Sequence, residues 1–171
     1  MPPRVAYWTN AFEPRMEAIA AEVALLRRHF PGSTVWGLHP NRWLLLSRER
    51  GFALNPRLHF VFRAVTRVLE PLFQLNHIVG TAADWFYLRG DRRRPTVMTV
   101  VATDRPADAA LLQRVEQFAV EYPAGRDELE RHGVSRDRIR LIFPPVDLDR
   151  FRPTPAPDGP FTVVFASSPD D

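Results

Sequence analysis

Residues 96–102, Thr-Val-Met-Thr-Val-Val-Ala, are the stretch on which the fold turns. A nearly unbroken apolar run of this length is expected of a parallel strand covered on both faces. Upstream of it, Arg89 to Pro95 reads as a polar turn, and His77-Ile78-Val79-Gly80 reads as a short strand that leads into a helix or loop through Leu88. Downstream, Ala107 to Arg114 is helical in pattern, Gln117 to Glu121 is a strand, and Pro123 to His132 is a helix closed by Gly133. Arg138 to Phe143 is a further strand.

The same alternation runs through the amino-terminal part. Arg4 to Thr9 is short, apolar and aromatic, the signature of a buried first strand. After a turn over Asn10 to Pro14, the residues Met16, Ile19, Ala20, Val23, Leu26 and Phe30 recur at helical spacing, and Pro31-Gly32 stops the helix. Thr34 to Leu38 is the second strand, so the opening has the size of a βαβ unit. Residues 57–73 form another helix, with Leu58, Phe62, Val65, Leu69, Leu72 and Phe73 on one face. Region 41–56, with Trp43-Leu44-Leu45-Leu46 before Arg48, Glu49 and Arg50, fits no single period. The alternation predicts an α/β fold with a doubly wound, mostly parallel sheet of Rossmann-like type. Residues 152–160 have the composition of a proline-rich linker, and Phe161 to Ala166 is one more buried-type strand. That strand has nothing beyond it to pair with, so the natural protein is expected to continue past Asp171.

Composition narrows the chemistry. With 45% hydrophobic and 25% charged residues the chain reads as an ordinary globular protein. All 23 basic residues are arginine, which fits codon bias in a GC-rich genome before it fits an anion-binding surface. The net charge of +3 is too small to argue for nucleic acid, so no nucleic-acid partner is expected. Absence of cysteine excludes disulfides, thiolate metal sites and a cysteine nucleophile. Neither a signal peptide nor an apolar run of ~18 residues occurs, so a cytoplasmic protein is expected. The helix 57–73 carries Arg57, Arg63 and Arg67. A core helix with a solvated arginine face is the first reading, and peripheral contact with the inner face of a membrane is the second.

No Gly-x-Gly-x-x-Gly, Walker loop, His-Glu-x-x-His or Gly-x-Ser-x-Gly occurs, and the five histidines lack metal-ligand spacing. No metal is expected. Only His77, ahead of a strand, is placed near a site. In open parallel sheets ligands gather outside the carboxyl ends of the strands. That rule selects Thr9, Asn10, Phe12 and Glu13 after the first strand, with Glu17 in the helix that follows. It also selects Thr103, Asp104 and Arg105 after strand 96–102, and Tyr122 and Arg126 after strand 117–121. Each has a structural alternative: Asn10 as a turn residue, Thr103-Asp104 as a helix cap, Arg126 as a solvated helix face.

From Glu128 through Gly133-Val134 and strand 138–143 to Pro144-Pro145-Val146-Asp147, then Phe151 and Pro153, the chain resembles the bridge segment of family-four retaining glycosyltransferases of the GT-B fold. In that family a helix ending in Gly-Val precedes a strand and a Pro-Pro-Val-Asp type of turn. Glu17 matches an early helical Glu of the family, whereas Arg15-Met16 stand where two glycines are usual. Thr103-Asp104-Arg105 stand where many members carry a histidine. The resemblance implies an amino-terminal acceptor-side lobe over 1–151, a hinge at Pro144, Pro145 and Asp147 with a linker over 152–160, and the first strand of a donor-binding lobe over 161–171. It implies a hexosyltransferase with a nucleotide-sugar donor as substrate, no separate cofactor, and a glycan or glycolipid acceptor. The lobe alone would be inactive. The competing readings are a nucleotide-sugar epimerase of the same build and a non-catalytic binding domain.

Overall fold

The computed structural model describes residues 2–12, 18–47, 51–90, 92–101, 109–149, 151 and 152. Among the described residues eight strands form a single sheet: β1 (Val5–Trp8), β2 (Thr34–Leu38), β3 (Leu44–Ser47), β4 (Gly51–Leu54), β5 (Leu75–Gly80), β6 (Thr96–Val100), β7 (Gln117–Val120) and β8 (Ile139–Leu141). Their spatial order is β3-β4-β2-β1-β5-β6-β7-β8. Every neighbouring pair is parallel except β3 with β4. The helices are α1 (Ala18–His29), α2 (His59–Leu69), α3 (Ala109–Leu112) and α4 (Pro123–Arg131). The fold is therefore the α/β, mostly parallel, Rossmann-like arrangement that the strand–helix alternation predicts.

Side-chain alternation along the central strands decides which helix covers which face. Ala6, Trp8, Trp36, Ile78, Met98, Val100, Phe118 and Val120 point to one face and pack with Phe62 of α2, Leu112 of α3 and Leu129 of α4. Val5, Tyr7, Val35 and Val79 point the other way, against Ile19, Val23 and Leu26 of α1. Burial on both faces is why β1 and β2 read as continuous apolar runs. Trp8 stands at the centre of the larger core, in edge contact with Trp36 and Phe62 at 5.0 and 5.7 Å.

A chain of buried polar groups runs through that core. Trp8 Nε1 donates to Asn76 Oδ1 at 3.0 Å, and Asn76 Nδ2 donates to Glu70 Oε1 at 2.6 Å. The same Glu70 oxygen accepts the backbone N–H groups of Arg93 and Arg94 at 2.9 and 3.2 Å. Glu70 is 1% exposed, so an acid at the end of α2 serves as the internal tie of the turn that enters β6.

Two sequence expectations need correction, and the region that fitted no single period takes a definite form. Within region 41–56, β3 and β4 pair antiparallel, with Leu44 opposite Leu54 and Leu46 opposite Phe52. The outer strand β3 sits on the sheet edge and leaves Leu44 56% and Leu46 70% exposed, so the two-residue alternation that marks a half-buried strand never forms. The helix expected over 57–73 is interrupted: a 3-10 turn at Pro56–Leu58 precedes α2, and another at Glu70–Leu72 follows it. The strand expected over 77–80 starts earlier, at Leu75, so His77 lies inside β5 rather than at its start. The helix start at Pro14 and the strand Phe161–Ala166 lie outside the described residues. No described helix is long and apolar enough to cross a membrane.

Candidate functional site at the carboxyl edge of the sheet

Topology places the switch point between β1 and β5. From β1 the chain winds to β2 and β4 on one side, then crosses over to β5 and continues to β8 on the other. Crevices at such switch points, outside the carboxyl ends of the strands, are where ligands bind in open α/β sheets.

Asn10 occupies this crevice directly after β1. Its Oδ1 accepts the Tyr87 hydroxyl and lies 3.3 Å from the Leu38 N–H, which also donates to Tyr87 Oη at 3.0 Å. This side chain is a strut that ties the β1 turn to the end of β2 and to the 3-10 segment Ala82–Leu88. Thr9 is buried, and its Oγ1 accepts the N–H of Ala11 at 3.1 Å. Tyr122 stands immediately ahead of α4 with its ring against Gly125, where an added Cβ would meet Tyr122 Cζ at 3.0 Å. Arg126 follows in the first turn of α4 and is half-buried. Asn10, Tyr122 and Arg126 thus share one edge of the sheet. They do not converge on a point, because β5 and β6 intervene and three strand spacings amount to roughly 14 Å. Glu13, Glu17, Asp104 and Arg105 lie outside the described residues.

The hinge residues are found on the surface. Pro144 and Pro145 are exposed beyond β8. Asp147 is tied down: its Oδ2 meets Arg28 Nη1 of α1 at 3.2 Å, and its Oδ1 accepts the Asp149 N–H at 3.1 Å. The chain leaving β8 is thereby fastened across to the last turn of α1.

His77 is not a site residue in this geometry. Its Nε2 lies 2.8 Å from Thr99 Oγ1, and its ring stands 5.3 Å from that of Tyr7. Burial pushes the imidazole down to about 4, so it is neutral at physiological pH. Among the described residues no group of three or more acidic or histidine side chains could hold a metal ion.

A pair of acids on the α1-covered face was not singled out from the sequence. Glu121 directly follows β7, and Glu22 projects from the second turn of α1. Burial, the charge of Glu121 and a hydrogen bond to it push Glu22 up to about 8. Glu121 is raised as well, chiefly by burial, while its bond with Glu22 pulls the other way. Oε1 of Glu121 is buried without a hydrogen-bond partner. The pair therefore holds one proton at neutral pH, with Glu22 as donor. Chemically it can accept hydrogen bonds from hydroxyl groups or exchange a proton at this edge. A signal existed: Glu22 falls among Ile19, Val23 and Leu26 on the apolar stripe of the helix, where a solvated acid is out of place.

Known structures support the architecture. Anabaena Alr3699/HepE in complex with UDP is similar to this chain at a TM-score of 0.58 and 11% identity, over 85% of this chain and 45% of that one. At that identity the likeness carries the fold. The chain spans less than half the length of that neighbour. No protein-family model matches the chain, and no curated protein matches it.

Proton sharing by the acid pair has a measurable consequence. The folded-state value of Glu22, about 8, lies above the ordinary 4.5. The native state therefore binds this proton more tightly than the unfolded chain does. Stability from this site is fully present below pH 4.5 and is lost as pH rises through about 8. Glu22→Gln keeps a neutral donor and removes the titration. Urea unfolding across that range should give a flatter profile for the variant, more stable than wild type above pH 8 by about 2 kcal/mol. Parallel profiles for the two proteins would show that the acids do not share a proton.

Proposed function

We propose that this chain is the acceptor-side lobe of a two-lobed glycosyltransferase that moves a sugar from a nucleotide-sugar to a glycan or lipid-linked acceptor. The observation that carries the reading is the structural likeness to a UDP-bound protein of about twice this span, joined to the bridge-like segment from Glu128 to Pro153. Within this reading the carboxyl edge faces the second lobe. Asn10 holds the β1 turn in place, Tyr122 and Arg126 line the rim, and Glu22 with Glu121 recognises acceptor hydroxyls. Pro144, Pro145 and Asp147 form the hinge, which the Arg28–Asp147 pair anchors to the first lobe. The donor diphosphate leaves from the second lobe, where basic side chains and helix N-termini stabilise its charge.

Division of labour between lobes makes a direct test. The whole gene product, given UDP-sugars and a glycolipid extract, should release UDP and transfer the sugar with retained anomeric configuration, whereas residues 1–171 alone should release none. Turnover by residues 1–171 would overturn the assignment of the donor site to the second lobe. Interconversion of the donor sugar without transfer would favour an epimerase.

A further inference from the structure

A groove of ≈ 420 Å³ runs along α2 on the α2-covered face, between that helix and the 3-10 segment Ala82–Leu88 that follows β5. Its size is that of a small-ligand site. Arg63, Arg67, Arg89 and Arg92 line it, with Glu70 as the acid among them and Trp8 at its floor. The guanidinium of Arg92 stacks on the Trp8 ring at 4.0 Å and its Nη2 donates to the Tyr87 carbonyl, while its Nε is buried without a partner. Two of the arginines approach one spot: a carbon added at Gly90 would lie 4.0 Å from Nη2 of both Arg63 and Arg92. Arg114 holds that loop in place by donating to the Gly90 and Leu88 carbonyls at 3.0 and 3.2 Å. Among the described residues Arg63, Arg67 and Arg89 form no ion pair. Glu70, the acid among the described lining residues, is 1% exposed and spends its Oε1 on Asn76 and the backbone of Arg93 and Arg94.

We propose that this groove binds a phosphate group, with Arg63 and Arg67 clamping its oxygens above the Arg92–Trp8 stack. Guanidinium forks match phosphate oxygens in pairs, and such charge-assisted bonds are about twice as strong as neutral ones. An aromatic floor and the apolar sides supplied by Phe60 and Phe86 lower the local dielectric and strengthen the attraction. Excess positive charge is already felt within the groove. Burial pushes Arg92 down to about 10; Glu70 opposes that shift, and the charge of Arg63 adds to it. A bound dianion would relieve this repulsion. The phosphate could belong to a soluble molecule or to a lipid headgroup, and the chemistry of the clamp is the same for both. This site rests on arginines that the glycosyltransferase reading does not use, and its test reads phosphate binding rather than sugar transfer, so either can fail alone.

The test measures binding of inorganic pyrophosphate by calorimetry and of vesicles of phosphatidylglycerol and phosphatidylcholine by sedimentation. Three proteins are compared: wild type, Arg63→Gln with Arg67→Gln, and Arg131→Gln with Arg136→Gln, which loses the same charge at the end of α4 and in the turn after it. All four arginines are exposed, so the fold is retained. The α2 variant should bind about tenfold more weakly, with the α4 variant unchanged. Binding of pyrophosphate marks a soluble ligand, and binding of vesicles alone marks a lipid headgroup. No binding of either probe by wild type, no loss in the α2 variant, or an equal loss in both variants would overturn the proposal.

Discussion

Glu70→Ala should lower the unfolding free energy by about 4 kcal/mol, the range expected when one partner of a buried charged network is removed. Two backbone donors, the N–H groups of Arg93 and Arg94, lose their acceptor at once, and Asn76 Nδ2 keeps only the Arg94 carbonyl at 3.3 Å. Each buried donor left unmade costs about 1–3 kcal/mol. Arg92 also loses the carboxylate that favours its charged form. Glu70→Gln separates these contributions, because its amide oxygen can still accept while the charge is gone. The glutamine variant should lose about half as much. Urea unfolding of both variants reads the result. An alanine variant within about 1 kcal/mol of wild type would mean that the polar chain from Trp8 to Arg94 is held by other contacts.

Gly37→Ala should cost about 3 kcal/mol or more, the upper end for forcing atoms into packed space. A Cβ at position 37 would lie 1.8 Å from the Thr9 carbonyl oxygen and 2.6 Å from Phe12 Cζ. The ring can move, but the carbonyl cannot move cheaply. Thr9 is bonded through its N–H to the Trp36 carbonyl at 3.0 Å, and Asn10 is braced by Tyr87. The substitution must therefore part β1 from β2 at the switch point or displace the Thr9–Asn10 turn. Gly133→Ala is the matched comparison. Its φ of +83° is strained for alanine, but nothing lies within 4 Å of the added carbon. That variant should lose only about 1 kcal/mol. Thermal unfolding of the pair would test the argument. Equal losses would show that the Thr9–Asn10 turn gives way around the added carbon and that close approach does not set the cost at Gly37.

How far the sequence reached differs between the fold and the site. β1, β2 and β6 were legible because each is buried on both faces, or nearly so, and burial leaves an apolar run in one dimension. The β3–β4 pair was not, because an edge strand exposing Leu44 and Leu46 has no inside to report. The placement of Asn10, Tyr122 and Arg126 on the carboxyl edge followed from strand order in the chain and a general rule of parallel sheets. What each does there did not follow, since Asn10 turned out to be spoken for by Tyr87.

By itself, then, the sequence determined the succession of strands and helices and the class of sheet they build, because periodicity records which side of each element is dry. Tertiary structure alone decided the proton shared by Glu22 and Glu121, the neutral state of His77, and the meeting of Arg63 with Arg92 over Gly90. Those properties arise between side chains brought together by strand order rather than by chain order. The charge state of a group is set by the neighbours and the water it keeps after folding, and neither is written in its local pattern.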